Sequence, residues 1–328
     1  MENMGKLTQA PILVTGGTGF VGSHLIEELA ATHSRIIVPF RSLDPHSYFA
    51  QKQLDKKVVM AIGDCKDRMR MADIISKYEI ETIIHLGAQP IVATAYTNPS
   101  ETLETNIMGT VHVLEAARQT GHVKSIIIAS SDKAYGKSTS AYKETDPLCG
   151  DHPYEVSKSA ADLIAFSYMK TYGMPIIVTR FGNIYGPGDL NFNRIVPGIM
   201  QTLCTGEMLE IRSNGKYMRD YLFVKDVASA YIYLLEHFSR AKNEAYNISS
   251  DDSYSVVGLI KTCKKIFKKD IPFEIKNTAI NEIPEQSLNC DKIHALGWKS
   301  RYSIEKGLEE SYAWYLRHFT DLHRIELE

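Results

Sequence analysis

Short, mostly apolar runs recur through the first half of the chain. They are Ile12-Leu13-Val14, Ile36-Ile37-Val38, Val58-Val59-Met60-Ala61, Thr82-Ile83-Ile84-His85-Leu86, Ser125-Ile126-Ile127-Ile128-Ala129 and Ile176-Ile177-Val178-Thr179. Runs of this length, rich in β-branched residues and lacking strict alternation, predict strands buried on both faces. Amphipathic helical patterns lie between them, at 21–31, 73–78, 101–119 and 157–172. Such alternation predicts an α/β fold with a doubly wound parallel sheet covered by helices on both faces.

The texture changes after Gly186-Pro187-Gly188. Polar loops such as 212–219 appear, 220–235 returns to a strand-then-helix pattern, and a smaller unit follows from 251 with helices at 256–267 and 304–319. The expected division is a first domain over 1–186, to which 220–250 returns. A smaller α/β C-terminal unit for substrate is expected from 187–219 and 251–328.

Composition narrows the class. The chain has 328 residues, 44% of them hydrophobic, enough for a sizeable core. The formal net charge is -2, so no basic excess points to nucleic acid. Lysines do cluster at 261–269, which reads as a solvated helix face. Cys65, Cys149, Cys204, Cys263 and Cys290 are scattered without metal-ligand spacing, which fits reduced thiols in a cytoplasmic protein and no metal site. The start, to Pro11, is short and polar and lacks the apolar core of a signal peptide. No apolar run approaches the roughly 20 residues that span a bilayer.

Gly16-Gly17-Thr18-Gly19-Phe20-Val21-Gly22 follows the first strand and opens a helix. Glycines let a backbone turn tightly against a diphosphate, and the helix N-terminus offers free N–H groups and a positive dipole end. In this setting the pattern reads as a Rossmann-like dinucleotide loop. Arg41-Ser42 after the second strand fits a 2'-phosphate and favours NADP over NAD, although Asp44 stands close enough in sequence to serve a ribose.

Tyr154 and Lys158 are one helical turn apart on one face. A phenol has an unperturbed pKa of about 10, and a neighbouring ammonium makes it a better base for an alcohol proton while a nicotinamide takes the hydride. Ser131 ends the fifth strand, placed to hydrogen-bond a reacting oxygen. Asp132-Lys133 adds a second acid and base at the carboxyl end of a parallel strand, where open α/β sheets bind ligands. Alcohol oxidation alone does not need this second pair.

Together these motifs resemble the extended short-chain dehydrogenases/reductases, and within them the nucleotide-sugar 4,6-dehydratases. The likeness runs nearly end to end. His85-Leu86-Gly87-Ala88-Gln89 resembles the strand end beside the nicotinamide, and Thr105-Asn106 the helix that carries a buried Asn. The segment 180–187 resembles the stretch whose Asn, here Asn183, contacts the substrate diphosphate. The segment 219–227 resembles the one whose arginine, here Arg219, pairs with it. Leu296-Gly297-Trp298 resembles a structural C-terminal signature.

The resemblance implies cofactor contacts from Gly16, Thr18, Gly19, Phe20, Gly22, Arg41, Ser42, Asp64, Cys65, Leu86, Ala88, Asn106, Tyr154 and Lys158. It implies substrate contacts from Gln89, Ser131, Asn183, Arg194 and Arg219. Ser-Asp-Lys, rather than Ser-Asp-Glu, resembles the CDP-glucose enzymes and some UDP-N-acetylglucosamine enzymes. Lys133 therefore departs from the best-known dehydratases, and Gly87 replaces a usual alanine.

The expected function is a UDP-N-acetylglucosamine 4,6-dehydratase, with CDP-glucose as the rival substrate. Asp132 is expected as the acid at C6 and Lys133 as the base at C5. A nucleotide-sugar 4-epimerase, a plain oxidoreductase and a non-enzymatic dinucleotide sensor are the competing readings. The resemblance also implies a homodimer joined through the helices at 101–119 and 157–172.

Overall fold

The computed structural model describes residues 10–137, 140–278 and 285–325, with 322–325 described by backbone alone. The chain start at 1–9, where no signal peptide was expected, lies outside them. All six apolar runs are strands: β1 (Ile12–Thr15), β2 (Ile36–Phe40), β3 (Val59–Ile62), β4 (Thr82–His85), β5 (Ser125–Ser131) and β6 (Ile176–Phe181). Shorter strands follow: β7 (Asn183–Tyr185), β8 (Leu209–Ile211), β9 (Met218–Phe223), β10 (Glu244–Ile248), β11 (Ser253–Ser255), β12 (Phe273–Ile275) and β13 (Glu285–Gln286).

The main sheet runs β3-β2-β1-β4-β5-β6-β10, with every pair parallel. It is the expected Rossmann-like, doubly wound α/β fold. Side chains alternate across it. Ile12 and Val14 enter one core layer with Leu25, Ile26 and Leu29 of helix Phe20–Leu29 and with Val227, Tyr231 and Leu234 of helix Val224–Glu236. Leu13 enters the opposite layer, with Ile74 and Ile75 of helix Arg68–Lys77 and Ala165 of helix Pro153–Tyr172. Burying each such side chain contributes about 1.5–3 kcal/mol. Strand order reverses between β1 and β4, which opens a crevice at the strands' carboxyl ends.

The other strands build a smaller layer beside that crevice. β9 is the hub, antiparallel to β11 and parallel to β7 and β13, while β8 and β12 form a parallel pair. A third apolar cluster seats them under helices Ile195–Thr205, Val256–Phe267 and Ile304–Ile325.

Two elements differ from the sequence pattern. The helix expected over 101–119 is broken into Pro99–Leu103, a π-helical turn Glu104–Met108, and Gly109–Thr120. The helix expected from 157 begins at Pro153, a residue suited to a first turn because it has no N–H to leave unpaired. Among the described residues no helix is long and apolar enough to cross a membrane.

Candidate active site

A cleft of about 700 Å³ opens between the main sheet and the smaller layer. Ser131, Asp132, Lys133, Tyr154 and Lys158 line it from the sheet side, with Phe20, Leu86 and Ala88. Asn183, Arg194 and Arg219 line it from the other side. Residues far apart in sequence thus meet around one space.

The glycine loop fits a dinucleotide diphosphate. Gly16 adopts φ 68°, and a Cβ there would sit 2.8 Å from the Gly87 nitrogen. A Cβ on Gly22 would collide with the Gly16 carbonyl, so the first helix packs against the loop only because position 22 is glycine. That helix has no side-chain cap at Gly19 and no acid in its first turn. Its amide groups and positive dipole end remain available to an anion. Thr18 is half-buried in the loop.

Beyond β2, Arg41 and Ser42 are exposed. Arg41 donates to Asp64 at 3.3 Å and lies 3.8 Å from a Glu101 oxygen. Asp64 Oδ1 accepts from the Lys66 amide at 2.9 Å, which fixes the turn after β3. Cys65 packs beside Gly109, where a Cβ would sit 3.0 Å from its Sγ. Burial pushes its thiol up to about 11, so it is a wall and not a nucleophile.

The end of β4 is braced from below. His85 is buried, with Nδ1 2.7 Å from Thr15 Oγ1 and Nε2 3.2 Å from Thr110 Oγ1. Burial lowers its pKa to about 3, which keeps it neutral. Asn106, on the π turn, accepts from the Gln89 amide at 2.7 Å and donates to the Gln89 carbonyl at 3.1 Å and to Ser157 Oγ at 2.8 Å. It ties the loop after β4 to the helix that carries Tyr154 and Lys158. Gln89 spends its own amide inside that loop, donating to Ile91 O and Thr102 Oγ1 at 3.1 and 2.9 Å. It does not line the cleft. In this structure it braces the loop.

The catalytic candidates converge. Ser131 Oγ donates to Asp132 Oδ1 at 2.8 Å and accepts from the Lys133 amide at 3.2 Å. Lys158 Nζ donates to the Ala129 carbonyl at 3.1 Å. Burial lowers Lys158 to about 8, partly opposed by Asp162. Burial also raises Tyr154 to about 12; the Arg194 charge and the Ser131 hydroxyl oppose this, and the Asp132 carboxylate adds to it. A cation bound beside the phenol would lower it toward the working range.

Lys133 Nζ lies 3.4 Å from each of three oxygens, on Asp132, Asn183 and Gln286. Sequence reasoning missed Gln286, because nothing in its neighbourhood carries a motif. It also missed Asp189, a buried carboxylate 3.0 Å from Arg194 Nη1. Asn183 donates to the Asp220 carbonyl at 3.3 Å. Arg219 donates to the Met218 carbonyl at 2.8 Å, its guanidinium 5.9 Å from the Tyr217 ring centre.

Known proteins of similar sequence and fold give the chain its family. The chain is 29% identical to the CDP-glucose 4,6-dehydratase of Salmonella typhimurium, over 93% of this chain and 90% of that protein. It is 28% identical to a trifunctional UDP-glucose 4,6-dehydratase, epimerase and reductase of Arabidopsis thaliana, over 95% of this chain; it spans about half of that relative's length, 48%. The crystal structure of dTDP-glucose 4,6-dehydratase from Bacillus anthracis in complex with NAD superposes with a TM-score of 0.82 at 27% identity, over 94% and 97% of the two chains. The UDP-glucose 4-epimerase of Thermotoga maritima, with UDP-glucose, gives 0.84 at 28% identity, over 94% and 99%. The family profile described as GDP-mannose 4,6 dehydratase matches residues 13–311, and the chain belongs to that family of the extended short-chain dehydrogenases/reductases.

Proposed function

We propose that this protein is a nucleotide-sugar 4,6-dehydratase, which oxidises a hexose at C4, removes water across C5 and C6, and yields a 4-keto-6-deoxy sugar. The observation that carries the reading is the presence of Asp132 and Lys133 in one cleft with Ser131, Tyr154 and Lys158. The last three suffice for C4 oxidation; the first two answer a second need for acid and base.

Tyr154, as phenolate, takes the C4 hydroxyl proton, with Ser131 hydrogen-bonded to the same oxygen. A bound nicotinamide would supply the hydride acceptor for C4 and the hydride donor for C6. The glycine loop, Phe20, Leu86, Ala88 and Lys158 would hold it. The 4-ketone acidifies the C5 proton. Elimination needs Lys133 as a free amine and Asp132 as a carboxylic acid, side chains that lie 3.4 Å apart. Lys133 takes the C5 proton, Asp132 protonates the departing C6 hydroxyl, which leaves as water, and Lys133 returns a proton to C5 as hydride reaches C6; the proton held by Tyr154 resets Asp132 through solvent. Asn183, Arg194 and Arg219 would hold the diphosphate, the arginines through charge-assisted bonds. Replacing Asp132 by Asn or Lys133 by Met should spare reduction of the nicotinamide and block loss of water. Loss of C4 oxidation in both variants would sink this division of roles.

The relatives described above support a glucose nucleotide, since their names carry CDP-, dTDP- and UDP-glucose. They lend no support to the expected UDP-N-acetylglucosamine. CDP-glucose stands first, because Asp-Lys resembles its dehydratases. Incubation with each of these four sugars, without reductant, and measurement of product mass tests the reading. Loss of one water supports it, and unchanged mass with every sugar overturns it.

A 4-epimerase is the second reading, favoured by the Thermotoga likeness, but it leaves Asp132 and Lys133 without work. For the cofactor, Arg41 still fits a 2'-phosphate, yet it must be drawn from Asp64 and Glu101, which leaves NAD in competition with NADP. A homodimer is supported by exposed Met108, Val156, Leu163 and Tyr172, which lie on the π-helical turn and the catalytic helix; a monomeric mass by light scattering would remove it. The five free thiols fit a reducing, cytoplasmic setting.

A further inference from the structure

We infer that Gln286, carried on β13 beyond the crevice, is the positioning residue for Lys133. The inference rests on the proposed role of Lys133 in elimination. An ammonium has three hydrogens, and Lys133 has three oxygen neighbours, each from a different part of the chain. Asp132 precedes it, Asn183 comes from β7, and Gln286 arrives from the far end of the sequence. Each contact is 3.4 Å, the long end of hydrogen bonding, so the amine is aimed but not locked.

Gln286 is poorly placed to serve stability. It is 2% exposed, and its Nε2 has no hydrogen-bond partner among the described residues. A buried donor without a partner is costly, and an apolar side chain of similar size would avoid that cost. The benefit that remains is the Oε1 contact with Lys133. Its backbone is held independently, because β13 pairs with β9 in the register Gln286↔Arg219. The same short strand pair therefore sets Arg219, on the cleft wall, and Gln286, behind the lysine.

The test uses the full-length protein with the sugar nucleotide that wild type dehydrates. Gln286→Leu should leave single-turnover reduction of the bound nicotinamide within a few-fold. It should slow C5 proton exchange with deuterated solvent, and water loss, by about a hundredfold, the usual scale for a misaligned group. Gln286→Glu keeps an acceptor for Lys133 and should restore elimination in part, with a shifted pH profile. If Gln286→Leu does not fold, Gln286→Asn carries the test, since it withdraws the oxygen by one methylene. Wild-type exchange rates in the folded Leu or Asn variant would overturn the inference, as would equal loss of hydride transfer and elimination. Absence of dehydration by wild type would instead refute the dehydratase reading, and this inference with it.

Discussion

Asp162 grips Arg180 with two hydrogen bonds, 2.8 Å from Nε and 2.9 Å from Nη2, and both side chains are almost wholly buried. Asp162 lies on the catalytic helix one turn beyond Lys158, and Arg180 lies on β6. Arg180 also donates to Tyr135 Oη at 2.7 Å, and Tyr135 donates to Asn247 on β10 at 2.7 Å. The pair thus fixes the helix bearing Tyr154 and Lys158 against β6, the neighbour of the strand bearing Ser131.

Removing one partner leaves a buried charge unpaired. Asp162→Ala should destabilise the fold by about 3–5 kcal/mol, read from urea unfolding. A loss below about 1 kcal/mol would show that the pair does not hold this helix.

The buried ammonium makes stability depend on pH. Lys158 titrates at about 8 in the folded protein, against an ordinary value of 10.5. Between these pH values the unfolded chain keeps the proton and the folded chain has released it, so stability rises with pH. Wild type should gain on the order of 3 kcal/mol over Lys158→Met across this window. Parallel curves for the two proteins would contradict the burial argument.

Cofactor choice turns on Arg41 and the acids that hold it. Arg41→Ala should weaken NADP binding about tenfold or more and leave NAD nearly unchanged, because only NADP offers a 2'-phosphate. Glu101→Gln should favour NADP by removing a competing carboxylate. Calorimetric titration with both dinucleotides reads both effects, and equal weakening of NAD and NADP by Arg41→Ala would deny Arg41 this role.

Much of the main sheet was legible because its strands are continuous apolar runs, buried on both faces. β10 was not singled out, since Asn247 interrupts its pattern; that Asn is buried by bonding to the carbonyls of Tyr142 and Asn289. The three-residue strands of the smaller layer are too short to show a period. The π turn at Asn106 was hidden because helical spacing reads straight through it. Ser131, Asp132, Lys133, Tyr154 and Lys158 were legible as motifs and do meet in the cleft. Gln286 was not, because it acts through one contact across a long sequence separation; nor was Asp189, whose pairing with Arg194 five residues on carries no motif.

A nucleotide sugar deuterated at C4, incubated with the pure protein, separates dehydration from epimerisation in one experiment. The product should be lighter by one water with the deuterium at C6, carried there from C4 within the same molecule. Deuterium returned to C4, with the C6 hydroxyl intact, would contradict dehydration and establish epimerisation in its place.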